Sequence, residues 1–143
     1  GAGLQEASLW MAAALGPGVS VGAMAAPGVE ILVGVVRDDN FGPLVIVAAG
    51  GTLVELLADR AVACPPVTRQ TAIGMLRSLR TAPLLAGWRG APPVDIEALA
   101  DVVVGFSDLA TELGEQLDAV EANPVTASPS GAVAVDALVV LRR

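Results

Sequence analysis

Residues 29–49 read VEILVGVVRDDNFGPLVIVAA. Two apolar runs, Val29–Arg37 and Leu44–Ala49, flank the turn-forming Asp38-Asp39-Asn40-Phe41-Gly42-Pro43. β-branched residues dominate both runs, and each is too short for a helix and suits a strand. The polar Gly/Pro turn between them predicts an antiparallel hairpin. Side chains alternate along a strand, so Glu30, Leu32, Gly34 and Val36 share one face and Ile31, Val33 and Val35 the other.

A second hairpin is expected near the C-terminus. Leu117–Val125 reads as a strand, Ser128–Gly131 as a turn and Ala132–Leu141 as the last strand. Between the hairpins, Ala61–Cys64 is a short strand and Thr68–Leu79 a helix with Ala72, Ile73, Leu76 and Leu79 at helical spacing. Asp95–Leu113 is the longest helix, with Asp95 as its N-cap. Thr81–Pro93 is expected to be a Gly/Pro-rich loop. Upstream, Gln5–Leu15 is a helix stopped by Gly16-Pro17-Gly18, and Val19–Met24 is a short strand. Thr52–Ala58 is a helical turn or short helix. Two hairpins and intervening helices predict an α+β fold, an antiparallel sheet with helices on one face.

Composition removes several chemistries. The chain of 143 residues is 54% hydrophobic and carries a net charge of −7. It contains no His, Tyr or Lys, and all eight basic residues are Arg. Ser-His-Asp and Cys-His catalysis, a P-loop lysine, a Schiff base and His-based zinc sites are therefore outside its means. The acidic balance and the scattered Arg residues argue against nucleic acid as a partner. The single cysteine, Cys64, fits a reducing cytoplasm and reads as an apolar filler. No apolar run reaches the roughly 20 residues of a membrane span. The absence of an initiator Met and the helical opening suggest a fragment or a processed chain.

Four constellations carry potential chemistry. Glu121 and Asn123 lie two apart on one strand and share a face, and Asp136 sits inside the apolar last strand. A carboxylate there is costly unless it is paired or holds a cation. The three supply hard oxygen ligands of the kind Mg²⁺ takes beside phosphates; otherwise they are two unrelated surface acids and a turn Asn. Glu30 is either an edge acid facing water or an acceptor for a sugar hydroxyl. Gly50-Gly51 follows a buried strand, as a plain turn or as backbone N–H groups open to phosphate. Trp88-Arg89-Gly90 offers a cation in the long loop, whereas Asp38-Asp39 read as solvated turn residues.

Taken together, these segments resemble one family. GVEILVGVVRDDNFGPLVIVAAGG, LVELLADRAV, PPVTRQTAIGMLRSL, LLAGWRG, VDIEALADVVVGFS, VEANPV and GAVAVDALV occur in the order found in the ATP-grasp domain of NDP-forming acyl-CoA synthetases, relatives of the succinyl-CoA synthetase β subunit. The resemblance runs from about Val19 onward. It implies that residues 1–18 are a leading helix and linker and that residues 19–143 are the C-terminal ATP-grasp subdomain. It implies that Asn123 and Asp136, with Glu121, hold Mg²⁺, that Glu30 contacts the nucleotide (ATP or ADP), and that a hinge at Val21–Ala25, including Gly22 and Ala25, lies along adenine. Gly50 and Gly51 would approach the nucleotide. Where the family's hinge carries Gln or Glu, this chain has Gly22. The family couples acyl-CoA thioester chemistry to phosphorylation of ADP through an acyl phosphate and a phosphohistidine. The partners implied are the remaining lobe and the CoA-binding domains, in a cytoplasmic enzyme compatible with a homo-oligomer. Two other readings stand beside it: a regulatory nucleotide- or acyl-CoA-sensing module attached to a protein acetyltransferase, and a structural interaction domain, which only the high apolar content favours.

Overall fold

The computed structural model describes residues 2–16, 22–51 and 58–142. Its elements are helix α1 (Ala2–Leu15), strands β1 (Val29–Asp38), β2 (Gly42–Ala49) and β3 (Arg60–Ala63), helices α2 (Arg69–Ser78), α3 (Ala82–Leu85) and α4 (Ile96–Leu113), a 3₁₀ turn (Gly114–Gln116), and strands β4 (Leu117–Ser128), β5 (Gly131–Ala134) and β6 (Ala137–Leu141). All strand pairs are antiparallel, in the order β3-β2-β1-β4, with β5 and β6 sharing the position beyond β4.

The 29–49 stretch forms the expected hairpin, in register from Ile31 opposite Ala49 to Asp38 opposite Gly42. Asp38 Oδ1 accepts the N–H groups of Asn40 and Phe41 at 2.8 and 3.0 Å, so the hairpin tip is an Asx turn. Ile31, Val33, Val35, Val45 and Val47 are buried on the face that α4 covers. Leu99, Ala100 and Val103 of α4 meet them, and Ala72 and Leu76 of α2 fill the flank. With few aromatics available, small aliphatic side chains form the core, and each Val, Leu or Ile among them contributes about 1.5–3 kcal/mol when fully buried.

Both long helices start where the sequence places them. The Thr68 hydroxyl accepts from Thr71 N–H at 3.1 Å, and Asp95 Oδ1 accepts from Ala98 N–H at 3.0 Å. Two buried polar side chains hold the connections. Ser107 Oγ, on the inner face of α4, accepts Val67 N–H at 2.7 Å. Asp59 accepts from Arg80 N–H, Thr81 N–H and the Thr81 hydroxyl at 2.8–2.9 Å, which ties the start of β3 to the α2–α3 turn. Arg37 donates to the carbonyls of Gly114 and Leu117, anchoring β1 to the 3₁₀ turn.

Four expectations are corrected. The last strand is two: β5 and β6 are interrupted at Val135-Asp136. The cause lies opposite, where Pro124 accepts from Val135 N–H at 2.9 Å but has no N–H to return. The 81–93 loop contains a helical turn, α3, begun by Pro83. Cys64 is exposed and is no core filler. Gly22–Met24 are not strand; the rest of the expected Val19–Met24 strand, and most of the Thr52–Ala58 turn, lie outside the described residues. Helix α1 forms and stops at Gly16, whose N–H donates to Ala12 C=O at 3.0 Å, but no residue of it joins the buried core.

Candidate functional site

The face of the sheet opposite the helices carries the sequence's candidate residues. Strand β4 alternates Val120 and Ala122 towards the core with Glu121 and Asn123 towards the open face. Glu121 lies between Gly34 of β1 and Leu138 of β6. A Cβ at Gly34 would stand 3.1 Å from Glu121 Cβ and 2.9 Å from Val120 O, so the missing side chain leaves Glu121 its space.

At Asn123-Pro124 the ladder with β1 shifts. Ile31 opposes Val125 and Val33 opposes Ala122, so Leu32 alone spans two residues of β4. Such a bulge re-aims side chains and is a position where a strand tolerates proline. On the other side of β4 the register holds across the break: Val125 opposes Ala134, and Ala122 opposes Ala137. Asp136 therefore faces Asn123. Val135 N–H bonds Pro124 C=O, which makes Asn123–Asp136 the adjacent non-hydrogen-bonded pair, the type whose side chains approach most closely. Asp136 Oδ1 accepts its neighbour Ala137 N–H at 2.8 Å, which fixes the carboxylate beside the break.

Glu30 and the glycine turn complete the group. Gly50 N–H donates to Glu30 C=O at 2.8 Å, and Gly51 N–H reaches Asn123 Oδ1 at 3.4 Å. A Cβ on Gly50 would fall 2.6 Å from Ile31 N, and Gly51 (φ +68°) sits so close to the Glu30 carboxylate that a side chain would strike it. Both glycines are thus required by contact, and by left-handed backbone at the second. A groove of about 390 Å³ runs alongside, lined by Ala23–Gly28, Glu30, Pro124, Thr126 and Val135. Ala25 lies in this wall. Gly22 is exposed, with open space around its α-carbon, and does not line the groove.

The donor set is oxygen only: two carboxylates and an amide. Among the described residues there is no cluster of three or more His, Cys, Asp or Glu that would make an all-protein cage. Magnesium is held by one or two carboxylates, with waters and substrate phosphates supplying the rest, so the residues present fit a phosphate-bound Mg²⁺. Asp59 went unnoticed in the sequence. Burial works to raise its pKa, but hydrogen bonds from Arg80 and Thr81, aided by the Arg80 charge, outweigh that and hold it below the ordinary carboxylate value. It is a structural acid, because its oxygens are spent on the α2–α3 turn. The Trp88-Arg89-Gly90 loop remains apart: Trp88 lines a separate depression with Arg80, Thr81, Pro83 and Leu84.

The fold and this face define a nucleotide-binding class, and the chain belongs to the ATP-grasp domain family, whose profile matches residues 6–141. It is 41% identical over 136 residues to the beta subunit of acetate–CoA ligase (ADP-forming) I from Pyrococcus furiosus, covering 95% of this chain and 55% of that protein. It is 39% identical over 124 residues to acetate–CoA ligase (ADP-forming) I of Archaeoglobus fulgidus, covering 87% of this chain and 18% of that one. Among solved structures, an acetyl-coenzyme A synthetase 1 from Candidatus Korarchaeum cryptofilum, in complex with coenzyme A and Mg-AMPPCP, superposes with a TM-score of 0.79 at 39% identity, covering 83% of this chain and 55% of that chain. The chain thus spans about half the length of the Pyrococcus subunit. These relatives lend nothing to the acetyltransferase-linked sensor. No helix among the described residues is long and apolar enough to cross a membrane.

Proposed function

We propose that this chain is the C-terminal nucleotide- and Mg²⁺-binding lobe of an ADP-forming acyl-CoA synthetase. Residues 1–18 are the lead-in and 19–143 the lobe. The observation that carries the reading is the convergence of Glu30, Gly50-Gly51 and Asn123 at one end of the open sheet face, with Glu121 and Asp136 flanking Asn123. In this reading Asn123, Asp136 and Glu121 hold the metal, which offsets phosphate charge when bound. Glu30 accepts from the ribose, the glycine turn lets backbone N–H groups approach phosphate, and the 23–28 segment with Ala25 walls the base, Gly22 lying just outside.

The chain positions nucleotide and supplies no nucleophile. Without Lys or His, the phosphate-gripping lysine and the phosphohistidine belong to the remaining lobe and to CoA-binding domains of the same cytoplasmic enzyme. The whole reaction converts acyl-CoA, phosphate and ADP to the free acid, CoA and ATP. The test is ATP formation from acetyl-CoA, phosphate and ADP by the full-length gene product. Glu121→Gln, which keeps shape and removes charge, should lower kcat by about a hundredfold at unchanged melting temperature, the scale of lost electrostatic stabilisation in phosphoryl transfer. A variant with wild-type turnover would remove Glu121 from the site, and a full-length product that forms no ATP would remove the assignment itself.

A further inference from the structure

Charge is spread unevenly along this acidic chain. Residues 60–94 hold five of the eight Arg and no Asp or Glu. Arg69 is spent on Glu97 and Asp101 of α4. Arg77, Arg80 and Arg89 are exposed and form no ion pair among the described residues. The acids that flank the stretch in sequence are engaged: Asp59 is buried against the α2–α3 turn, and Asp95 caps α4. A positive corner therefore stands on a chain whose net charge is −7.

Apolar hollows lie between these cations. Arg80, Leu84 and Trp88 line one of about 260 Å³. Leu84, Pro92 and Val94 line a second of about 290 Å³, and Val94, Leu85 and Arg77 a third of about 290 Å³. Leu84 belongs to the first two and Val94 to the last two, so the hollows form one track with Arg80 at one end and Arg77 at the other. No acid lines any of them. Trp88 is 54% exposed, held outward by a tight turn. Gly87 (φ +92°), Arg89 (φ +52°) and Gly90 (φ +88°) are all left-handed, the Arg against its steric preference. Ala91 N–H donates to Trp88 C=O at 3.1 Å, and Val94 N–H to Leu85 C=O at 3.0 Å. The track is thus fixed before anything binds, which lowers the ordering cost of association. Exposed Trp and Arg beside small apolar hollows are the composition of interface anchors. We infer that this track is a docking site for a separate polypeptide: an extended acidic segment whose aliphatic side chains fill the hollows while its carboxylates meet Arg77 and Arg80. Guanidinium forks pair bidentately with carboxylates, and aliphatic side chains are what the hollows require and a nucleic acid lacks. The inference does not rest on the nucleotide assignment.

Fluorescence anisotropy with the full-length gene product tests it. The probe is a labelled peptide, Glu-Glu-Leu-Leu-Val-Leu-Glu-Glu. One control replaces every Glu with Lys, and the other replaces every aliphatic residue with Ser. The acidic aliphatic peptide should bind, more weakly as salt rises, and neither control should. Arg77→Glu combined with Arg80→Glu should weaken binding on the order of tenfold or more. Trp88→Ala, which leaves the charges in place, should weaken it as well. Both variants should keep the wild-type melting curve and the wild-type affinity for ADP with Mg²⁺, because none of the three residues lines the nucleotide groove. No binding by wild type, as when the rest of the protein covers the track, would overturn the proposal. So would a Lys or Ser peptide that binds equally well, or an affinity unchanged in either variant. Displacement by inorganic pyrophosphate as effective as by unlabelled peptide would overturn it in favour of a phosphate ligand.

Discussion

Asp59 and Asn123 are both polar residues that the fold surrounds with backbone donors, but they serve different ends. Asp59 spends both oxygens on Arg80 and Thr81. Among the described residues, Asn123 Oδ1 is engaged only by a long contact from Gly51, a bond weak enough to give way to a ligand. Asp59→Ala leaves two backbone N–H groups without their acceptor and should cost about 2–4 kcal/mol of unfolding free energy in urea titrations. The folded-state pKa of Asp59 is depressed, so its contribution is complete above the unfolded carboxylate value of about 3.9 and is lost as pH falls through the folded value. The stability gap between wild type and Asp59→Ala should therefore close in acid. A gap that is constant from pH 7 to pH 3 would contradict the hydrogen-bonded carboxylate. Sequence alone exposed Glu30, Glu121, Asn123 and Asp136 because polar groups stand out against apolar strands. Asp59 lies in a stretch where an acid looks solvated, and its partners are some twenty residues away, so nothing local marked it.

At the scale of elements, the hairpins and long helices were legible because their periodicity and caps are local properties. The break between β5 and β6 was not, although its cause was in view. Pro124 lies in one strand, and its effect falls on the strand opposite, which only the pairing register reveals. Helix α3 is four residues long and hides in a Gly/Pro-rich loop. Ser107 has the same history: on α4 it reads as one polar residue in an amphipathic helix, but it is wholly buried and caps Val67 N–H. Ser107→Ala changes the volume by only one hydroxyl and removes the acceptor. It should destabilise by about 1–3 kcal/mol, as a buried donor loses its partner. Ser107→Thr, which keeps a hydroxyl, should recover part of that. If alanine matched serine in denaturant midpoint, the α4-to-Val67 link would carry no weight.

At the scale of the molecule, one face of the sheet is closed and the other open. Helices α2 and α4 seal the first. The second presents Glu121, Asn123 and Asp136 beside the groove, and at its edge the bare β6. The sequence showed which residues are acids and amides in apolar strands. It did not show that one bulge and one broken edge strand set them against each other, because that depends on register between strands distant in the chain. On the proposed reading, the open face holds part of a ligand shell and another lobe closes over the nucleotide; the chain spans only 55% of the Pyrococcus subunit. The most direct test is calorimetric titration of ADP into the full-length gene product, with and without Mg²⁺, for wild type, Asn123→Ala and Asp136→Ala. Mg²⁺ should tighten ADP binding by wild type at least about tenfold, which is roughly 1.4 kcal/mol. Both variants should lose that gain while still binding ADP weakly. Mg²⁺-dependent affinity unchanged in both variants would contradict the metal site.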